Sequence, residues 1–239
     1  MPRSLLDRLR IARSAMQQLT EDPDRTEMVF EITEALAGRQ PERLLRRIEC
    51  DPAGVRLLAE RPAFDPEHCD LDALMQLPEG SFGRTFAEWM KENEFAPGLM
   101  QRDFDGGDPD LAYLGQRLTQ VHDFWHVLSG YNRDPIGELG VLMFGWAQMH
   151  SYGIGYILGT ILLRNLRETW RAGKLRSPLA AYLWRAYRAG RRARFLAPLV
   201  LEDLFPLPLP TVREMLRIEP LTKPFVPEGL PPIAAPLAA

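Results

Sequence analysis

Cysteine is scarce. Cys50 and Cys69 are the two in the chain, and no C-x-x-C pair occurs. That excludes a disulfide scaffold and a thiolate zinc site, and it points to a reducing compartment. A dominant charge is lacking too. Lys and Arg number 29 against 32 Asp and Glu, a formal net charge of −3, so the balance gives no reason to expect a nucleic acid or an acidic substrate. The start, MPRSLLDRLRIARSAMQQL, has no uninterrupted apolar run of the kind a secretory signal needs. Its arginines resemble a mitochondrial presequence, whereas Asp7 and the direct run into structured sequence favour a mature bacterial N-terminus. Strand-like alternation of useful length, internal repeats and a Gly-rich phosphate loop are all missing.

What remains is helical. Hydrophobic residues make up 46% of the 239, enough for a sizeable core. The expected fold is all-α, a single multi-helix domain over 1–218 followed by a Pro-rich tail, 219–239, that is extended or disordered. Leu5, Leu9, Ala12, Met16 and Leu19 fall at helical spacing and predict an amphipathic first helix. Asp22-Pro23 predicts the start of a second, ending near Gly38. Shorter helices are expected over 41–48, 53–60 and 71–77. Ser81 is placed to cap a helix through Glu94 whose buried side carries Phe82, Phe86, Trp89 and Met90. Residues 97–109 read as a loop. Asp108-Pro109 then opens a long helix, and 208–218 form the last one.

That long helix carries the chemistry. Two of the four histidines, His122 and His126, stand at i and i+4 and share one helix face. Two imidazoles one turn apart can hold one divalent ion. Asp123 is about 100° round the helix from His122. It reaches the same ion from the edge of the face or holds a ligand or water beside it. Gly130 predicts a helix end, and Asp134-Pro135 a new N-cap and first turn. Glu138 therefore lies on the first turn or so of an antiparallel neighbour, where its carboxylate can face His126. Two histidines with one or two carboxylates make a catalytic rather than a structural set.

The stretch 139–163 contains no Asp, Glu, Lys or Arg. It is long enough to span a membrane, but glycines, Gln148, His150 and Ser151 interrupt it. We expect two buried helices with a break at Tyr152-Gly153, either as plain core or as the wall of an apolar cavity where Gly145, Gly153, Gly155 and Gly159 remove bulk. A basic region follows from Arg164 to Arg194, interleaved with Trp170, Tyr182, Trp184 and Tyr187. It reads either as a solvated face or as a surface for anionic lipid headgroups.

H-D-x-x-H followed by eleven residues and Glu resembles the signature of the coenzyme Q (ubiquinone) biosynthesis family defined by the fourth numbered protein of that pathway. His122, Asp123, His126 and Glu138 match it in turn. LAYLGQRLTQVHDFWHVLSGY, DPIGELG, AYRAGRRARFLAPLVLEDL and PLPTVREMLRI are similar to the family's later segments. Leu201-Glu202 stands where members often carry Trp-Glu. The resemblance implies a divalent metal, commonly described as zinc, on His122, Asp123, His126 and Glu138, with Asp123 and Glu138 in catalysis. Iron or manganese also suits two histidines and a carboxylate. It implies a C1 step on a prenylated 4-hydroxybenzoate-derived ring, in which a ring carboxylate is lost and a hydroxyl gained. Expected partners are a prenylated aromatic or isoprenoid lipid, a membrane surface, other ubiquinone-biosynthesis proteins and further copies of the chain, with no nucleic acid. Expected location is the cytoplasm, peripheral on the inner membrane, or the matrix side of the mitochondrial inner membrane in a eukaryote. Two other readings stand beside it. One is a lipid-binding scaffold that organises the biosynthetic complex. The other is a hydrolase in which Asp123 activates a metal-bound water, as the Glu does in H-E-x-x-H.

Overall fold

Among residues 4–22, 25–96 and 107–221, which the computed structural model describes, the long elements are all helices, and β pairing is limited to an isolated Ser81–Pro208 bridge. In chain order they are α1 (Leu5–Glu21), α2 (Glu27–Leu36), α3 (Gln40–Glu49), α4 (Pro52–Glu60), α5 (Leu71–Leu74) and α6 (Phe82–Glu92). Then come α7 (Pro109–Gln120), α8 (His122–Ser129), α9 (Pro135–Met149), α10 (Tyr152–Arg171), α11 (Pro178–Arg192), a 3-10 turn at Leu201–Leu204 and α12 (Leu209–Met215). The fold is all-α, as the patterning predicts. The loop expected over 97–109 falls mostly outside the described residues. So do residues 222–239 of the expected tail, whereas the Leu221 N–H still donates to the Ser129 carbonyl at 2.8 Å.

The chain divides into two compact units. One takes the described residues of Met1–Gln40 and Tyr131–Arg191. Its core joins Ala12, Ala15 and Met16 of α1 to Met28 and Ile32 of α2 and Ile157 of α10. Helix α1 starts one residue after Ser4, whose hydroxyl accepts from the Asp7 N–H. Its expected stripe is buried only from Ala12 onward, and Leu5 and Leu9 stay exposed. Asp22 does not start α2. Its N–H closes α1 onto Gln18, and its own carbonyl accepts from the Arg25 N–H. The charge-free stretch forms α9 and α10, broken at His150, whose φ of 55° lies in the left-handed region. Ser151 then caps α10. The break falls just before the position predicted for it. No helix among the described residues is long and apolar enough to cross a membrane.

Gly153, Gly155 and Gly159 do not open a cavity wall, which corrects the sharper expectation at those three positions. At Gly155 a Cβ would stand 2.7 Å from the Trp146 indole nitrogen, and at Gly153 it would collide with the Thr33 backbone. Both serve close packing. Gly159 is exposed and faces open space.

The other unit takes the described residues of Pro41–Gly130 and Arg192–Thr222. Its centre is Phe124 of α8. The ring packs edge-on against Phe64, Phe86, Phe205 and Phe82, with centroids 4.7, 4.6, 5.5 and 5.8 Å away. Helix α6 supplies Phe82, Phe86 and Met90, all fully buried. Its Ser81 cap is as predicted. Trp89 is only half-buried, turned out of that core toward α8.

Candidate metal centre

The motif does not sit inside one long helix. Asp108 caps α7 by accepting from the Asp110 N–H at 2.9 Å, with Pro109 in the first turn. Helix α7 then closes at Val121, whose φ of −90° and ψ of 3° leave the helical region. The Phe124 N–H bonds back to the Val121 carbonyl at 3.2 Å, so α8 begins afresh with His122 as its first residue. The end of α7 is held by a buried ion pair. The Arg117 guanidinium donates from both terminal nitrogens to the two carboxylate oxygens of Glu202, at 2.6 and 2.5 Å. A planar fork on a carboxylate is the strongest form such a contact takes. Cys69 is buried; that burial, followed by the nearby Glu202 carboxylate, pushes its thiol up to about 12, so it packs as a neutral side chain.

Helix α8 is only eight residues long, too short to hold itself. Phe124 anchors one side of it in the aromatic core. Its last carbonyls, which have no partner inside the helix, meet a cation. Arg213 of α12 donates to the carbonyls of Leu128 and Val127 at 3.0 and 2.9 Å, which also complements the negative end of the helix. Gly130 closes it at φ 74°, its N–H on the His126 carbonyl. A side chain there would be strained, and a Cβ would meet the Leu221 carbonyl at 2.9 Å.

Helix α9 begins as predicted. The Asp134 carboxylate accepts from the N–H groups of Ile136 and Gly137, both at 3.1 Å, and Pro135 occupies the first position. Gly137 is there because a Cβ would collide with the Asn132 carbonyl. Tyr182 of α11 donates to the Ile136 carbonyl at 3.0 Å. Glu138, in the first turn, is thereby set.

His126 is 3% exposed. Its ring stacks on Trp89 with centroids 5.3 Å apart and stands edge-on to His122 at 5.1 Å. One imidazole nitrogen from each of His122 and His126 and one carboxylate oxygen of Glu138 all lie within 4.8 Å of one another. The donor set fits a divalent ion. Donors bound at about 2.0–2.2 Å stand about 3.3 Å apart in a tetrahedral shell, so small side-chain rotations close the group. Asp123 is half-buried in the first turn of α8 and is not in this group. Three positions of the four expected thus come together. Trp89, Arg117, Glu202 and Arg213, which hold the site, were not predicted for it. The traceable signals were a Trp at the fourth apolar position of α6 and an Arg one turn before the motif.

Residues 1–222 match the family described as coenzyme Q (ubiquinone) biosynthesis protein Coq4. The chain belongs to that family. The match extends well upstream of the segments that carry the sequence resemblance. Among curated proteins, the rat "Ubiquinone biosynthesis protein COQ4 homolog, mitochondrial" is 30% identical over 93% of this chain and 82% of its own length. The mouse protein of the same name is 31% identical with the same coverage. A crystal structure of a candidate ubiquinone biosynthesis protein from Nostoc punctiforme superposes with a TM-score of 0.64, covering 86% of this chain and 96% of that one at 23% identity. That likeness supports the fold.

Proposed function

We propose that this Coq4 family member acts in ubiquinone biosynthesis by replacing the C1 carboxylate of a prenylated 4-hydroxybenzoate-derived ring with a hydroxyl. The observation that carries the reading is the convergence of His122, His126 and Glu138, in a chain of this family. Three protein donors among the described residues leave positions on a divalent ion for exchangeable ligands, which favours catalysis over a closed structural shell. A bound redox-active ion such as iron or manganese would supply Lewis acidity and electron transfer at the ring carboxylate, whereas zinc would supply Lewis acidity alone. With dioxygen and a two-electron reductant the change balances. The ring loses CO2, one oxygen atom enters as the hydroxyl and the other leaves as water. His122, His126 and Glu138 hold the ion. Trp89 keeps the His126 ring in one orientation and shields it from water. Asp123, next to His122 in the chain but outside the three-donor group, is assigned the role of orienting a ligand or exchanging a proton.

The test is metal analysis of protein purified without chelator, followed by incubation of the loaded protein with a ring-carboxylated prenylphenol, dioxygen and reductant. We expect one equivalent of metal, and CO2 release matched by a C1 hydroxyl. His126→Ala is expected to lose both. Retention of a full equivalent of metal in folded His126→Ala refutes the site. Full metal without turnover refutes the chemistry and favours the scaffold reading.

A further inference from the structure

We propose that the segment formed by α10 and α11 is a docking surface for an anionic lipid bilayer. The proposal deepens the reading above, because a prenylated ring resides in a membrane. Two independent features of the same segment carry it.

The first is apolar exposure. Leu163, Leu166 and Trp170 fall on one side of α10, at spacings of three and four residues. They are 50, 42 and 78% exposed, and Leu175 beyond the helix end is 99% exposed. An isolated exposed leucine is ordinary. An aligned stripe ending in a Trp and a fully exposed Leu is the pattern of an interfacial helix, with the indole at headgroup depth.

The second is charge. Residues 164–191 carry eight of the chain's 29 Lys and Arg but only one of its 32 Asp and Glu. The single acid, Glu168, is already paired with Arg164 at 3.1 Å. Arg167, Arg171, Lys174 and Arg176 flank the apolar stripe and are all exposed. Helix α11 adds exposed Arg185, Arg188 and Arg191 around Trp184, which is 60% exposed, and contains no acid at all. The molecule as a whole is slightly acidic, so this segregation is local. It decides between occupants. A second copy brings the same cations to the contact, whereas an anionic headgroup layer neutralises them, worth about fivefold in affinity per Lys or Arg near the surface.

The experiment is sedimentation of the full chain with vesicles of phosphatidylcholine alone and of phosphatidylcholine with phosphatidylglycerol. No prenylated ring is present, so the result reads the surface separately from the chemistry. Wild type is expected to bind the anionic vesicles and release in high salt. Trp170→Ser with Leu175→Ser, and separately Arg167→Glu with Arg171→Glu, are each expected to weaken binding by about tenfold or more. All four positions are exposed, and unchanged circular dichroism and thermal midpoint will show that the variants fold. In vesicles with brominated acyl chains, Trp170→Phe is expected to remove a quenched component of the fluorescence while binding persists. His126→Ala is expected to bind vesicles like wild type even if it loses metal. Equal binding of wild type to neutral and anionic vesicles, or of either double variant and wild type to anionic vesicles, overturns the proposal. So does conversion of a dimer to monomers by Trp170→Ser with Leu175→Ser while vesicle binding persists, which would make the stripe an interface between copies.

Discussion

Arg117 and Glu202 form an unequal pair. The Arg117 side chain is 1% exposed and that of Glu202 is 20% exposed. Glu202→Ala therefore strands a buried guanidinium and is expected to cost about 3–5 kcal/mol. Arg117→Met leaves a carboxylate that can still reach water, and it is expected to cost less. Urea unfolding of both variants checks the order. His68 and Asp65 give a milder test at the surface, with ring nitrogen and carboxylate 2.7 Å apart. The hydrogen bond to Asp65 raises His68 above its ordinary 6.5, and the same bond lowers Asp65 below 3.8. The His68 contribution is fully present below pH 6.5 and fades as pH rises through the raised value. That of Asp65 is present above pH 3.8 and fades as pH falls through the lowered one. NMR titration of His68 is expected to give a pKa above 6.5 that Asp65→Ala returns toward it.

At the scale of elements, the caps show how much could be read from sequence. Gly130, Asp134 and Pro135 each specify a backbone state by their own covalent chemistry, so the turn between α8 and α9 and the place of Glu138 were legible. Asp134→Ala is expected to cost about 1 kcal/mol and to weaken metal binding, measured by competition with a chelator. The break at Val121 was not legible, because no Gly or Pro marks it. Nor was the contact of Arg213 with the Val127 and Leu128 carbonyls, which joins residues 85 and 86 positions apart. Local pattern specifies caps; tertiary partners specify which short helix survives. The glycines of α10 make the same point. The sequence groups three of them with Gly145 of α9 as one cavity wall, yet their neighbours differ. Gly159→Ala meets nothing and is expected to stabilise by about 0.5–1 kcal/mol through helix propensity. Gly155→Ala presses on Trp146 and is expected to lower the thermal midpoint instead.

For the whole molecule, no helix among the described residues is long and apolar enough for a span, and composition reads against a disulfide scaffold, with both cysteines free. Composition could not show the two units, since each is assembled from segments far apart in the chain. With the basic α10–α11 surface as the proposed attachment, membrane-bound protein is expected to be released by high salt. The Debye length shrinks from about 10 Å at 0.1 M to about 3 Å at 1 M. A requirement for detergent under every condition would contradict that.

The clamp of Arg213 on α8 also fixes an order of events during synthesis. The motif helix leaves the ribosome 85 residues before the side chain that secures its last turn. At 5–20 residues per second that is an interval of about 4–17 s. For that time His122 and His126 belong to an unanchored eight-residue segment, able to pick up adventitious metal but not to hold it in one geometry. With the proposed metal role, selection of the ion is therefore expected to follow the synthesis of Arg213. A nascent chain halted before Arg213 should exchange metal freely where the finished one does not.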